Sequence, residues 1–273
     1  MLGDYCESKH DYACTIYLTT AINKCSFATG TNDCYDVASF LLTNKSLNFM
    51  SATSLERITV EPETPATSCV IWLHGLGDSG AGFAPIVPIF SLPENHGIRF
   101  IFPHAPEQAV TINQGYVMRS WYDIKSLDLH NRADMDGVLA SEAKIQALIQ
   151  EQIDSGIAAK NIVLAGFSQG GVLSLFTGLR FGQRLAGILA LSCYLPTSDT
   201  LPAHCHSANA ATPILQNHGE RDDVVPMSAG KMANTLLTAA DYDVTWKSYP
   251  MDHSVLPDQL RDISAWLQAR LLA

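Results

Sequence analysis

The runs "NIVLAG" (161–166) and "GILALS" (187–192) are apolar without interruption and too short for helices. Neither face of such a strand tolerates water, so both faces must be covered. That pattern belongs to a parallel sheet layered between helices. Four further segments complete the set. "CVIWLHG" (69–75) ends in glycine and "IRFIFP" (98–103) is stopped by Pro103. "PILQNHG" (213–219) and "DVTWKSYP" (243–250) follow later. Helical patterns lie between them. "DGVLASEAKIQALIQEQIDSG" (136–156) places Val138, Leu139, Ile145, Leu148, Ile149 and Ile153 on one stripe and stops at Gly156. The last segment repeats Leu256, Leu260, Ile263, Leu267 and Leu271 along one face. Strand and helix in alternation predict an α/β fold, with a mostly parallel central sheet and helices on both faces. No low-complexity linker divides residues 50–273, which read as one domain.

Residues 1–49 differ from the rest. They hold four of the seven cysteines, none of the 13 prolines and none of the four tryptophans, and they show no clear periodicity. After Met50 comes a short polar lead, a strand, a Pro-containing turn and a buried strand. Two readings stand: an atypical N-terminal extension that packs or binds, or a true start at Met50 with the first 49 residues outside the working protein. The second is the expectation.

Composition narrows the function. A formal net charge of −10 repels phosphate backbones, so nucleic acid is not an expected partner. No run approaches the roughly 18 apolar residues that span a bilayer, so stable membrane insertion is not expected either. The opening residues lack the pattern of a signal peptide, and the cytoplasm is the expected compartment. Thiols there stay reduced, and no C-x-x-C pair suggests zinc or redox chemistry. Cys69 and Cys193 read as small buried apolar residues.

Against this background "GFSQGG" (166–171) gains meaning. G-x-S-x-G arises by chance in roughly one chain of this length in ten. Here it follows an apolar strand and precedes the apolar helix "QGGVLSLFTGLRF", the setting of a nucleophile elbow. Ser168 needs a base and an orienting acid. Asp222 and Asp223 follow one later strand in "HGERDDVVP", and His253 follows the next in "YPMDHS". Serine, acid and histidine, each after its own strand, is the chain order of this architecture. Spacing alone leaves the choice between Asp222 and Asp223 open.

Residues 66–273 resemble the carboxylesterase and acyl-protein thioesterase branch of the α/β-hydrolases. The resemblance rests on "IWLHGLGDSG" (71–80), "FPHAPE" (102–107), "TINQGYVMRSWYD" (111–123), "GFSQGG", "HGERDDVVP" (218–226) and "YPMDHS" (249–254). It implies an α/β-hydrolase fold with no large cap domain. It implies a serine hydrolase that cleaves carboxylic esters or acyl thioesters through an acyl-enzyme. It selects Asp222 as the acid and leaves Asp223 a solvated loop residue. It implies oxyanion-binding amides at Leu76 and Gln169. His74, just before that loop, is expected to make a structural hydrogen bond. Trp121 and Tyr122 are expected to shape the substrate cleft, with Tyr122 where the family more often has Phe. No metal or organic cofactor is implied. The expected partners are a small-molecule ester or an acylated protein, and the resemblance admits a homodimer. A lysophospholipase, a peptidase and a non-catalytic binding protein on the same fold are the alternatives. Each is weakened in turn: no basic amphipathic patch for lipid, no long insertion between strands, no missing triad member.

Overall fold

A computed structural model describes residues 55–126, 128, 132–196 and 205–272. The expected extension 1–49 and the expected start at Met50 lie outside the described residues. Nine strands are described: β1 Arg57–Val60, β2 Ser68–Leu73, β3 Ile98–Pro103, β4 Glu107–Val110, β5 Tyr116–Arg119, β6 Ile162–Phe167, β7 Gly187–Leu191, β8 Ile214–Gly219 and β9 Val244–Tyr249. Five helices accompany them: the single turn α1 Gly80–Phe83, then α2 Met135–Asp154, α3 Gln169–Arg180, α4 Met227–Ala239 and α5 Pro257–Leu271.

Seven strands form the main sheet in the order β1-β3-β2-β6-β7-β8-β9. β1 is antiparallel to β3 and the other neighbours are parallel. The uninterrupted apolarity of the central strands now has its cause. Cys69, Ile71 and Leu73 of β2 enter one core, while Val70 and Trp72 enter the other. The first core lies under α2, α3 and α4, and the second under α5 and the 3-10 segment Ala84–Phe90. Trp72 centres the second core, with Phe83 and Phe90 at ring separations of 5.6 and 6.2 Å. β9 lies at the sheet edge, and its burial alternates along Val244–Lys247 because one face meets water.

The expected strands and both expected helices form within a few residues of their predicted limits. Asp134 caps α2 by accepting a hydrogen bond from the Gly137 amide at 3.2 Å. One stripe residue is misplaced by the sequence reading. Leu139 is 44% exposed, while Val138, Ile145, Leu148 and Ile149 are buried. Position 139 lies about 100° around the helix from Val138, past the edge of the stripe. Glu142 lies inside the stripe, buried, and pairs with Arg180 of α3 at 2.8 Å. The antiparallel hairpin β4–β5 was not foreseen. Tyr116 and Val117 at the start of β5 are 74% and 65% exposed, so no hydrophobic alternation marks that strand. No large cap domain stands over the sheet among the described residues. Cys69 and Cys193 are buried free thiols, and burial pushes the Cys69 thiol up to about 12.

Candidate active site

The segments that carry the predicted triad and oxyanion residues all leave the main sheet at the C-terminal ends of its parallel strands. His74–Gly77 follows β2, Ser168 follows β6, Asp222 follows β8 and His253 follows β9. Connections at that end of an open parallel sheet converge on one crevice.

Ser168 occupies the turn between β6 and α3 with φ 55° and ψ −118°. Positive φ is costly for a residue with a Cβ, on the order of 1–3 kcal/mol, and it persists only where the surroundings enforce it. Here they do. The Ser168 amide donates to Leu191 O at 2.8 Å, and the Val172 amide donates to Ser168 O at 3.0 Å. The two glycines of the motif make the turn sterically feasible. A Cβ on Gly166 would stand 2.2 Å from Gly170 O, and one on Gly170 would stand 2.3 Å from Leu73 O. Gly170→Ala therefore forces α3 away from β2. We expect it to lower stability by about 2–3 kcal/mol, roughly 5–10 °C in Tm by calorimetry, and to cut activity as well. Gly182→Ala, where nothing lies within 4 Å, is the neutral control.

The hydroxyl does not stand alone. Ser168 Oγ lies 2.8 Å from His253 Nε2, and His253 Nδ1 lies 2.7 Å from Asp222 Oδ2. Asp222 is buried, and its other oxygen accepts from the amides of Val224 at 3.0 Å and Val225 at 2.8 Å. With Nδ1–H donating to a carboxylate, Nε2 is left free to accept the serine proton. Burial pushes the Asp222 carboxyl up, but the hydrogen bond from His253 and the two loop amides outweigh it. The net shift is downward, and the group stays ionised. The two loops that carry Asp222 and His253 are stitched together. Glu220 N donates to Tyr249 O at 2.8 Å, and Arg221 N to Met251 O at 3.1 Å. Gly219 permits this approach, since a Cβ there would stand 2.5 Å from Asp252 O. Phe167 packs its ring 4.7 Å from the His253 ring and holds it from the other side. Asp223 is exposed to solvent.

The loop carrying Leu76 passes beside the serine. A Cβ on Gly75 would lie 3.4 Å from Ser168 Cβ, and Gly77 turns the chain with φ +76°. The Gly77 amide donates to Arg119 O at 2.8 Å, which pins the loop. Gln169 opens α3, so its amide has no partner within the helix. The helix dipole adds partial positive charge at that point. His74 is fully buried. Its Nε2 accepts from the Ala105 amide at 2.9 Å, so the proton sits on Nδ1 and is donated to Gly75 O at 2.7 Å. Burial lowers its pKa, outweighing the carbonyl contact that raises it. A neutral imidazole committed on both nitrogens is a structural fastening, as expected, and not a second base.

Trp121 and Tyr122 differ from their expected place. They are 1% and 0% exposed, so neither offers surface to a cleft. Trp121 donates its indole N–H to His74 O at 2.9 Å, and the Tyr122 hydroxyl lies 3.5 Å from that of Tyr194. They support the site from beneath, because bulky aromatics between sheet and α2 are more stable dry.

Two side chains at the site escaped sequence reasoning. The Gln169 side chain, 3% exposed, bonds the segment 120–122. The signal was a polar side chain heading a mostly apolar helix. His218, fully buried, faces Val225 O at 2.8 Å and lies 3.6 Å from Asp222 Oδ2. Burial lowers its pKa more than Val225 O and Asp222 raise it, so the ring backs the acid loop as a neutral donor.

Residues 55–271 match the family model described as phospholipase/carboxylesterase. The chain is 39% identical to acyl-protein thioesterase 1 of Gibberella zeae over 231 residues, covering 81% of this chain and 98% of the relative. It is 42% identical to acyl-protein thioesterase 1 of Neurospora crassa over 216 residues, covering 75% of this chain and 87% of the relative. Among solved structures, Arabidopsis thaliana SOBER1 superposes with a TM-score of 0.71 at 35% identity, over 75% of this chain and 99% of that one.

Proposed function

The chain belongs to the phospholipase/carboxylesterase family of serine hydrolases acting on esters and thioesters, and we propose that Ser168, His253 and Asp222 carry its reaction. The observation behind this reading is the hydrogen-bonded line from Ser168 Oγ through His253 to Asp222, at 2.8 and 2.7 Å, built on a strained elbow.

His253 Nε2 takes the Ser168 proton as Oγ attacks the acyl carbonyl carbon. The carbonyl oxygen gains the electron pair and sits between the amides of Leu76 and Gln169. His253, now a cation, is stabilised by Asp222 through Nδ1–H. The tetrahedral adduct collapses, the bond to the leaving oxygen or sulfur breaks, and His253 Nε2 delivers the proton to that atom. Water then enters. His253 removes its proton, the oxygen adds to the acyl carbon, and collapse frees the acid and returns the proton to Ser168. Asp222 stays ionised throughout, because its second oxygen is held by two backbone amides.

The physiological substrate in this reading is an S-acylated protein. Its support is the likeness to acyl-protein thioesterase 1 of Gibberella zeae and of Neurospora crassa, at 39% and 42% identity. The cysteine pattern fits a reducing, cytoplasmic setting. The test is a paired hydrolysis series: S-acyl cysteine peptides beside p-nitrophenyl esters of the same acyl lengths. We expect both to be cleaved, with kcat/KM for the best thioester at least equal to that of its oxygen ester. Turnover of oxygen esters alone would overturn the thioester assignment and leave the serine chemistry standing.

A further inference from the structure

The segment 119–122 takes no step in the proposed reaction, yet it bonds to both sides of the oxyanion site. On the helix side it meets the buried carboxamide of Gln169. The Trp121 amide donates to Oε1 at 2.9 Å, while Nε2 donates to Tyr122 O at 2.6 Å and to Ser120 Oγ at 3.0 Å. Ser120 Oγ–H in turn donates to Tyr122 O at 2.6 Å. On the loop side, Arg119 O receives the Gly77 amide at 2.8 Å, and the Trp121 indole N–H reaches His74 O at 2.9 Å. His74 passes the tie on to Gly75 O at 2.7 Å. From behind, the Ser141 hydroxyl of α2 donates to Trp121 O.

We infer that the Gln169 side chain and the Trp121 indole form a brace that fixes the separation of the Leu76 and Gln169 amides. The inference rests on the reading of those two amides as the oxyanion donors. The physical need is specific. Two donors stabilise a developing oxyanion only if they are fixed before the charge appears. Here they belong to different elements, a loop after β2 and the first residue of α3, which share no covalent neighbourhood. A buried network with its members satisfied is stiff in a way that apolar packing is not. Gln169 then acts twice, its amide toward the substrate and its carboxamide toward the loop that carries the other donor. Both side chains are positioning residues.

Gln169→Met keeps side-chain length and the backbone amide but removes all three side-chain bonds. Trp121→Phe removes the indole donor and keeps an aromatic ring. Active sites are counted with a fluorophosphonate, so that misfolded protein drops out of the comparison. For each variant we expect kcat per titrated site to fall about 10- to 100-fold, the range for displaced rather than deleted donors. KM should hold, and the pH profile should not move, because Ser168, His253 and Asp222 are untouched. The Ki of a trifluoromethyl ketone, whose adduct places an oxyanion in the same site, should rise by the factor that kcat/KM falls. The double variant should lose less than the product of the two single losses, since both cut one brace. Unaltered kcat per titrated site, or a raised KM with unchanged ketone Ki, would overturn the brace. Should Trp121→Phe fail to fold, Gln169→Met alone decides. Failure of the ketone to inhibit the unaltered protein would overturn the assignment of the two amides, and the brace with it.

Discussion

Ser168→Ala is expected to lower kcat by about 10⁶-fold while the protein folds normally. The loss is that large because the hydroxyl is the only atom at the elbow placed for attack. It lies 2.8 Å from the base and on the loop that faces Leu76. The residual rate belongs to the oxyanion site and binding alone. The fold is expected to survive because the Ser168 backbone, not its side chain, carries the turn through bonds to Leu191 and Val172. A companion variant tests the strain. Ser168→Gly should be just as inactive and about 1 kcal/mol more stable than Ser168→Ala, since only glycine adopts φ 55° without a Cβ penalty. Calorimetry beside single-turnover kinetics reads both quantities.

The second large effect belongs to Asp222. Asp222→Asn is expected to cost about 10⁴-fold in kcat. The asparagine loses the negative charge that stabilises the histidine cation. Its amide N–H₂ can also face His253 Nδ1, which shifts the imidazole proton to Nε2 and blocks acceptance from Ser168. Asp223→Asn, one residue along and solvent-exposed, should be close to unaltered. The pair of variants therefore separates the two aspartates that spacing alone could not. The same carboxylate links stability to pH. Its folded-state pKa lies below its unfolded value. Its ionised form therefore contributes stability that is present above the ordinary carboxylate range and is lost as the pH falls through the depressed folded value. Unfolding of the Asp222→Asn variant should lack this component, so the gap in stability between the two proteins should close as the solution is acidified. A gap that stayed constant from neutral to acid pH would contradict the linkage.

Much of the architecture was legible in the sequence because burial on two faces leaves an unmistakable mark. β6 and β7 are apolar throughout, and β2 is so after Ser68, since alternate residues feed two separate cores. The elbow was legible because its glycines are demanded by backbone contacts near 2.2 Å, and no other residue fits there. The hairpin β4–β5 was not legible, because its exposed side chains answer to solvent and carry no period. Leu139 misled because a stripe read from apolar identity alone ignores that Glu142 can enter the core when Arg180 pairs with it. Trp121 and Tyr122 were expected to shape the cleft, and their burial could not be read from residue type. An aromatic beside a cleft and one beneath it look the same in sequence. Gln169 taught the converse lesson. Its backbone was assigned a role from its position after the serine, while its side chain, the buried link to the 120–122 segment, left only the weak trace of a polar residue in an apolar helix.

The central claim is that Ser168, activated by His253, is the single acylated nucleophile of this chain. A labelled fluorophosphonate followed by peptide mapping tests it most directly. The account predicts one label per chain, carried by the peptide containing Ser168, with hydrolysis lost in step with labelling and labelling abolished in His253→Ala. Label on another residue, or full hydrolytic activity in a protein whose Ser168 is fully labelled, would contradict it.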